Sequence, residues 1–156
     1  MVLSPGTAVP TVRADNQAGD RLELAFETPT VLYFYPEDGT PGCTSEAEAF
    51  EARYDAFADG GAEIYGVSPD SVDSHAAFAD EHDLSFDLLS DPEGNVAEAF
   101  GVDLVNGRPK RTTFVLARGQ VVGVYEGVRP SGHATDVLRD LAESGLVEPV
   151  EASEGS

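Results

Sequence analysis

The stretch VLYFYPEDGTPGCTSEAEAF, residues 31–50, decides the fold of this chain. It opens with five consecutive apolar residues, VLYFY, which are typical of a β-strand covered on both faces. Turn-forming residues follow at 36–42, and the only cysteine of the chain, Cys43, comes next. Beyond it, apolar residues recur at three- and four-residue spacing, which predicts a helix that ends at the Gly60–Gly61 pair. The single thiol is therefore expected where a strand turns into a helix.

Strand and helix patterns alternate through the middle of the chain. In order they predict a strand at 62–68, a helix with an apolar side formed by Val72, Ala76, Phe78 and Ala79, a strand at 86–89, and a turn with a short helix at 91–101. The segment DPEGN within the last of these is interpreted as a turn and helix cap, since it lacks the spaced ligands of a calcium loop. This alternation favours a mainly parallel sheet.

The flanking segments complete the layout. Two β-rich runs at 111–128 meet at Arg118–Gly119, which predicts a hairpin, and 131–145 predicts a capped amphipathic helix. Two short extended pieces around a turn precede the first long strand, within 12–26. The predicted fold class is α/β and thioredoxin-like, with a central mixed β-sheet flanked by helices and an N-terminal β-hairpin extension. We expect a single domain at 1–147 and an acidic, frayed tail at 148–156.

The composition is strongly acidic. The chain has 29 acidic and 9 basic residues and a net charge of -20, which disfavours binding to nucleic acids or anionic membranes. The acidic residues could indicate disorder, but the regular apolar segments favour adaptation to a high-salt cytoplasm, where the Debye length is about 3 Å at 1 M salt. The N-terminus has no secretory signal pattern, so we expect a cytoplasmic protein.

A lone cysteine limits the chemistry available to Cys43. It excludes an intrachain disulfide, a CxxC pair and a cysteine-rich zinc site, so any redox cycle must end with a partner from outside the chain. A helix N-terminus favours the thiolate, whereas the acidic chain opposes it, so a nearby cation is needed. Arg111, which opens the run RTTFVL, is a candidate. The Thr40 hydroxyl can face the sulfur, and Pro36 can shield it; the alternative is a buried structural cysteine.

The segment YFYPEDGTPGCTSEA closely resembles the active-site segment of peroxiredoxins, in particular the bacterioferritin comigratory protein or peroxiredoxin Q subfamily. The pattern Pro-x-x-x-Thr-x-x-Cys falls on Pro36, Thr40 and Cys43, and the later arginine of the family falls on Arg111. The segment LLSDPEGNVAEAFGV, residues 88–102, is also similar to this subfamily. The resemblance extends over roughly residues 5 to 145.

The resemblance implies a thiol peroxidase that reduces hydrogen peroxide and organic hydroperoxides in antioxidant defence. Cys43 would be the peroxidatic nucleophile and would pass through sulfenic acid. Arg111 would stabilise the thiolate and hold the peroxide, Thr40 would hydrogen-bond it, and Glu46 would orient Arg111. The resemblance requires no metal and no other cofactor.

One departure from the subfamily concerns the second cysteine. Many members carry a resolving cysteine five residues after the first, where this chain has Glu48. The reductant could be thioredoxin, a small thiol or another protein thiol. A dimer linked by a Cys43–Cys43 disulfide is a further alternative. A monomer is expected because the subfamily is often monomeric. The alternatives are a thiol–disulfide exchange protein and a redox-sensing module of the same fold.

The three histidines are given no role in this interpretation. His75 and His82 lie seven residues apart on one predicted helix, which is not a metal-ligand spacing, and we expect both to be solvated. His133 could in principle pair with Cys43 as in a Cys–His hydrolase, but nothing in the sequence would orient it.

Overall fold

Our computed structural model describes residues 2–127 and 133–143, so the predicted tail at 148–156 lies outside the described residues. In chain order the elements are β1 (Val12–Asp15), β2 (Arg21–Leu24), β3 (Thr30–Phe34), α1 (Pro41–Ala52), α2 (Tyr54–Asp59), β4 (Glu63–Ser68), α3 (Val72–Glu81), β5 (Asp87–Ser90), α4 (Asn95–Phe100), β6 (Leu104–Val105), β7 (Arg108–Pro109), β8 (Thr112–Ala117), β9 (Gln120–Glu126) and α5 (His133–Glu143). Among the helices described, none is long and apolar enough to cross a membrane.

A seven-stranded mixed sheet organises the molecule, with strand order β2-β1-β5-β4-β3-β8-β9. The β3–β4 and β4–β5 pairs are parallel, as the alternation of strands and helices predicts. The β8–β9 hairpin joins β3 in antiparallel orientation, and β1–β2 form the predicted N-terminal hairpin. The α/β thioredoxin-like fold class is therefore confirmed.

The strand β3 lies at the centre of two cores because its side chains alternate between the two faces of the sheet. Val31 and Tyr33 pack with α1, α3 and α5 on one face. Leu32 and Phe34 pack with α4 on the other face. All five residues of β3 are buried, which confirms that this apolar run is covered on both sides.

The helix predicted after Cys43 is interrupted. It consists of α1 and α2, which are separated at Arg53, where φ is -106° and ψ is 6°. The Arg53 N–H donates to the Phe50 carbonyl, three residues back, at 3.1 Å. This tighter turn ends α1, and the chain starts a new helix at Tyr54.

Two further details differ from the predictions. A small β6–β7 hairpin turns at Asn106–Gly107, where both residues have positive φ (55° and 79°), and the Asn-Gly pair was an overlooked signal for it. On α3, Phe78 and Ala79 are buried as predicted, but Ala76 is exposed and His75 occupies the buried side instead. The predicted turn at Arg118–Gly119 is present, also with positive φ at both residues.

Candidate active site

Cys43 lies in the first turn of α1. Thr40 is the N-cap residue, Pro41 is the first helical residue, and the first helical hydrogen bond runs from the Thr44 N–H to the Thr40 carbonyl at 2.9 Å. The N–H groups of Gly42 and Cys43 therefore precede the helical ladder, at the positive end of the helix dipole. The cysteine is only 1% exposed. The helix start favours negative charge on the sulfur, whereas burial opposes it.

Arg111 reaches the cysteine because of the antiparallel pairing of β3 and β8. Phe34 pairs with Thr112, so Arg111, one residue before β8, lies at the end of β3 that leads into the Cys43 turn. Its Nη2 donates a hydrogen bond to Cys43 Sγ at 3.2 Å. A guanidinium group at this distance stabilises a thiolate directly.

Glu46 holds the other branch of the same guanidinium group. It follows Cys43 by three residues on α1, so both side chains lie on one side of the helix. Its Oε1 accepts a hydrogen bond from Arg111 Nη1 at 2.8 Å. Burial raises the pKa of Glu46 to about 7, with the charge of Arg111 opposing the shift. The second oxygen, Oε2, is buried and has no hydrogen-bond partner among the described residues.

Thr40 and Pro36 lie on the turn before the cysteine. The Thr40 hydroxyl donates to the Glu37 carbonyl at 3.2 Å and makes no capping hydrogen bond to the helix. With its proton committed to Glu37, the hydroxyl oxygen has lone pairs left to accept a hydrogen bond. Pro36 is half-buried, two residues beyond β3. The structure thus places Arg111 in direct contact with both Cys43 and Glu46, while the roles of Thr40 and Pro36 stay predictions.

Tyr33 is a neighbour of the site that the sequence did not indicate, since it appeared only as part of an apolar strand. Its ring stacks on Phe50 with centroids 4.7 Å apart. Its hydroxyl is buried without a hydrogen-bond partner among the described residues. Burial, followed by the charges of Glu46 and Cys43, raises the pKa of Tyr33 well above 10, so the phenol stays neutral beside the site.

The prediction that His75 is solvated is wrong. Its side chain is completely buried, and both ring nitrogens have partners, Asp38 Oδ2 at 2.7 Å and the Leu89 carbonyl at 3.0 Å. His82 is partly buried against Phe78 and lies 3.1 Å from the Glu48 carboxylate, so it is not fully solvated either. Helical spacing alone could not reveal these partners, because they lie on other elements.

His133 is occupied elsewhere. Its Nε2 lies 2.9 Å from the Thr113 hydroxyl, and its ring packs edge-on against Phe50. Burial lowers the pKa of His133, against a weaker opposing effect of Asp136. A Cys–His pairing with Cys43 is not among the contacts that the structure describes.

Cys43 belongs neither to the candidate group of metal ligands nor to either of two surface clefts in the described residues. Asp38, Asp70 and His75 have ligand atoms within 4.8 Å of one another, but these atoms are engaged in hydrogen bonds within the protein. Two clefts in the described part of the chain, one between α2 and β5 and one beside β1 and α4, include none of the five predicted site residues.

A thioredoxin-like sheet that holds a buried cysteine at a helix start, beside an arginine, defines the class of thiol peroxidases. Comparison with known proteins agrees: the AhpC/TSA family matches residues 5–124. The chain belongs to this family, and it is a thiol-dependent peroxidase, as predicted.

Individual relatives place it with the predicted subfamily. The chloroplastic peroxiredoxin Q of Sedum lineare is 41% identical over 145 residues, which cover 89% of this chain and 78% of that protein. Among solved structures, the bacterioferritin comigratory protein of Xanthomonas campestris has a TM-score of 0.83 and 34% identity, covering 92% of this chain and 99% of that one. Peroxidoxin BcpB of Mycobacterium tuberculosis has a TM-score of 0.83 and 35% identity over 90% and 97% of the two chains.

Proposed function

We propose that this protein reduces hydrogen peroxide and organic hydroperoxides at Cys43 and is regenerated by an external thiol. The observation that carries the proposal is the guanidinium group of Arg111, which contacts Cys43 Sγ at 3.2 Å and the Glu46 carboxylate at 2.8 Å. One cation is thus fixed beside the sulfur by a buried carboxyl group. The alkyl peroxide reduction activity of the Xanthomonas campestris relative supports the organic substrates.

In the first step the Cys43 thiolate attacks the terminal oxygen of the peroxide. An S–O bond forms, the O–O bond breaks, and the leaving oxygen departs as water or an alcohol after taking a proton. Negative charge develops on that oxygen, and Arg111 together with the free amides of the first helical turn can stabilise it. The Thr40 hydroxyl, which donates to Glu37, can accept the hydrogen bond of the peroxide O–H.

In the second step the sulfenic acid at Cys43 is reduced from outside. An external thiolate attacks the sulfur and water leaves, which produces a mixed disulfide; a second thiol then releases Cys43 and carries away the disulfide. Because Cys43 is 1% exposed, this step requires the first turn of α1 to open. Glu48, at the position of the missing resolving cysteine, is exposed on the same helix.

The setting we propose is the cytoplasm of a halophile, with the protein as a monomer. The net charge of -20 is the support for the halophile. Support for a monomer is the scarcity of exposed apolar surface: Leu104, Val105 and Val122 are the large exposed hydrophobic residues within the described chain. Relatives include chloroplastic proteins, so the compartment is a proposal separate from the family.

A redox sensor is the second candidate. The absence of a second cysteine favours it, because a sulfenic acid that no neighbouring thiol resolves can persist as a signal. The two functions differ in turnover: a peroxidase requires a thiol that restores Cys43 repeatedly, whereas a sensor does not.

The test is stopped-flow oxidation of the reduced protein by hydrogen peroxide in molar potassium chloride, with mass spectrometry of residue 43. We expect a rate several orders of magnitude above that of a small free thiol, and no reaction in Cys43→Ser. Arg111→Ala should lower the rate by about 100-fold or more. Arg111→Lys should lower it similarly, because an ammonium group cannot contact Glu46 and Cys43 in the same forked geometry.

Arg13→Ala is the matched control, since Arg13 is exposed in the β1–β2 hairpin and should leave the rate unchanged. A wild-type rate no faster than that of a free thiol would contradict the peroxidase. Fast oxidation without turnover by thioredoxin or any small thiol tested would favour the sensor. Gel filtration in the same salt would test the monomer.

A further inference from the structure

One stretch of this acidic chain contains no acidic residue. Asp and Glu are spread through the sequence, 29 in all, yet residues 104–125 contain neither. The same stretch holds four of the nine basic residues of the chain: Arg108, Lys110, Arg111 and Arg118. It also holds the large exposed hydrophobic residues of the described chain, Leu104, Val105 and Val122. Cationic and apolar groups are thus concentrated in one part of a strongly acidic chain.

The fold brings part of this stretch beside the active-site turn. The β6–β7 hairpin forms a small sheet of its own and pairs Val105 with Arg108. Arg108 Nη2 lies 3.2 Å from a carboxylate oxygen of Glu37, which belongs to the turn before Cys43. Further along the chain, Arg111 Nη2 contacts Cys43 Sγ at 3.2 Å. The hairpin and the segment after it therefore border the turn that carries the reactive cysteine.

The cations of this segment differ in what they contact. Arg111 is occupied by the site itself, and Arg108 is paired with Glu37. Lys110 is exposed and has no ion-pair partner among the described residues. Its backbone N–H donates to the Asp103 carbonyl at 3.1 Å, which fixes the segment at the base of the hairpin. The charge of Lys110 is thus available to a second molecule that approaches the turn.

Regeneration of Cys43 requires a thiol from outside, because the chain has no other cysteine. A small thiol would have to reach only the sulfur, and apolar side chains beside the turn would add nothing to its binding. Leu104 and Val105 are 44% and 54% exposed, next to the Arg108–Glu37 pair. Exposed apolar groups with a polar rim are typical of a protein–protein contact. A small contact of this kind suits a transient redox complex, which buries less than about 1,200 Å².

We propose that the hairpin surface, formed by Leu104, Val105, Arg108 and Lys110, binds an acidic protein dithiol that reduces the sulfenic acid at Cys43. The inference rests on the proposed function and specifies its reductant. One thiolate of the dithiol attacks Cys43 Sγ; an S–S bond forms, the S–O bond breaks, and the hydroxyl group leaves as water after taking a proton. The second thiolate then attacks its neighbour in the mixed disulfide, which releases the Cys43 thiolate and leaves the dithiol oxidised.

High salt determines how the two kinds of contact divide the work. At 1 M salt the Debye length is about 3 Å, so repulsion between two acidic proteins is screened except where charges touch. Exposed ion pairs contribute little affinity, so the apolar side chain of Val105 should carry most of the binding. Lys110 should favour an acidic partner over a basic one and raise the association rate.

The test measures turnover of hydrogen peroxide in molar potassium chloride with an acidic thioredoxin recycled by its reductase, with dithiothreitol and with glutathione. The variant Val105→Ser/Lys110→Glu alters the hairpin surface and leaves the Arg108–Glu37 pair in place. Its KM for thioredoxin should rise about tenfold or more, with a much smaller change in kcat. Its turnover with the small, uncharged dithiothreitol and its rate of oxidation by peroxide should stay within about threefold of the wild type, because salt screens the altered charge.

Arg118→Glu/Val122→Ser is the matched control. It also reverses one charge and removes one exposed apolar side chain within 104–125, but at the other end of β8. Val122 follows Val121, which pairs with Leu116, whereas Arg111 precedes the opposite end of that strand. The KM of the control for thioredoxin should equal that of the wild type.

Hydrogen exchange supplies a measurement that needs no variant of this chain. A thioredoxin that keeps only its attacking cysteine forms a stable mixed disulfide with Cys43. In this complex the amides of residues 104–107 should exchange more slowly than in the peroxidase alone, whereas those of Arg118–Gly119 should be unchanged.

An unchanged KM in Val105→Ser/Lys110→Glu, an equal rise in the control, or unprotected amides at 104–107 would overturn the inference. Absence of turnover with thioredoxin would do the same, and turnover with glutathione alone would assign the role to a small anionic thiol. A wild-type dimer that Val105→Ser/Lys110→Glu converts to a monomer would also overturn it, because the surface would then bind a second copy. If peroxide oxidises the wild type no faster than a small free thiol, the proposed function itself fails before any reductant is added.

Discussion

At the scale of single residues, Arg111 and Glu46 show how one contact depends on another. Arg111 donates to Cys43 through one branch of its guanidinium group and to Glu46 through the other. The planar fork suits two acceptors at once, which a lysine could not serve in the same way. Glu46 needs this contact, because a carboxylate that is 1% exposed is costly unless it is paired. The residue that orients the arginine is therefore itself sensitive to pH.

Glu46→Gln should make the free energy of unfolding of the protein less sensitive to pH. Burial raises the pKa of Glu46 from 4.5 to about 7, so the folded protein holds a proton that the unfolded chain releases between these values. The stability that this group contributes is present below the unfolded pKa and is lost as the pH rises through about 7. Between these two pH values the free energy of unfolding of the Cys43→Ser variant should fall more than that of the double variant Cys43→Ser/Glu46→Gln. The difference should be at most about 3 kcal/mol.

Urea unfolding at a series of pH values would measure this difference, and the Cys43→Ser background removes the titration of the thiol. Glu48→Gln, on the same helix but at an exposed position, is the control and should give a curve parallel to that of the background. If the curve of Cys43→Ser/Glu46→Gln ran parallel to that of Cys43→Ser, the raised pKa of Glu46 would be contradicted.

At the scale of elements, the site is assembled by strand pairing. The parallel β3–β4 pair and the antiparallel β3–β8 pair place the start of β8 beside the end of β3. Gly66, on β4, permits this packing, because its strand lies against the large ring of Tyr33. The stack of Tyr33 on Phe50 then connects the sheet to α1, the helix that carries Cys43.

Gly66→Ala should destabilise the protein by about 1–3 kcal/mol, as expected for overpacking. The added methyl group would lie 2.9 Å from Tyr33 Cζ and 3.0 Å from a Leu88 methyl carbon. Gly123→Ala on β9 is the matched control, since its nearest neighbour would be 3.9 Å away, an ordinary contact. Chemical denaturation of both variants measures the effect. Equal stabilities of the two variants would show that the sheet can move away from the new methyl group.

At the scale of the whole molecule, charge is the dominant feature. The net charge of -20 is distributed over a single sheet with helices on both faces, so like charges repel across the surface. Salt screens this repulsion, because the Debye length falls from about 10 Å at 0.1 M to about 3 Å at 1 M. The folded state should therefore gain stability with salt.

The melting temperature should rise between about 0.1 M and about 1 M potassium chloride, as the Debye length shortens. A variant with Asp59→Lys and Asp80→Lys should show a smaller rise, because both aspartates are exposed near helix C-termini, where a cation is favourable. Differential scanning calorimetry measures the melting temperatures of the wild type and of this variant at both salt concentrations. A melting temperature independent of salt in the wild type would argue against adaptation to a high-salt cytoplasm.

Local patterns in the sequence predicted much of the fold and of the site. The strand at 31–35, the turn at 36–42, the hairpin at Arg118–Gly119 and the candidates Cys43 and Arg111 all follow from the order of neighbouring residues. Periodicity and turn chemistry act over a few residues, so they can be read without knowing the rest of the fold. The break at Arg53 and the exposure of Ala76 were missed because helical spacing does not indicate where a helix is interrupted or which of its apolar residues finds a partner.

Only the tertiary structure decided how the distant residues combine. The sequence by itself determined that a lone thiol begins a helix after a turn of proline, threonine and glycine. It did not determine that the guanidinium group of Arg111 divides between Cys43 and Glu46, or that His75 is buried against Asp38, 37 residues away. The physical reason is that burial and hydrogen bonding of a polar side chain depend on groups that the fold brings together from other elements, and not on its neighbours along the chain.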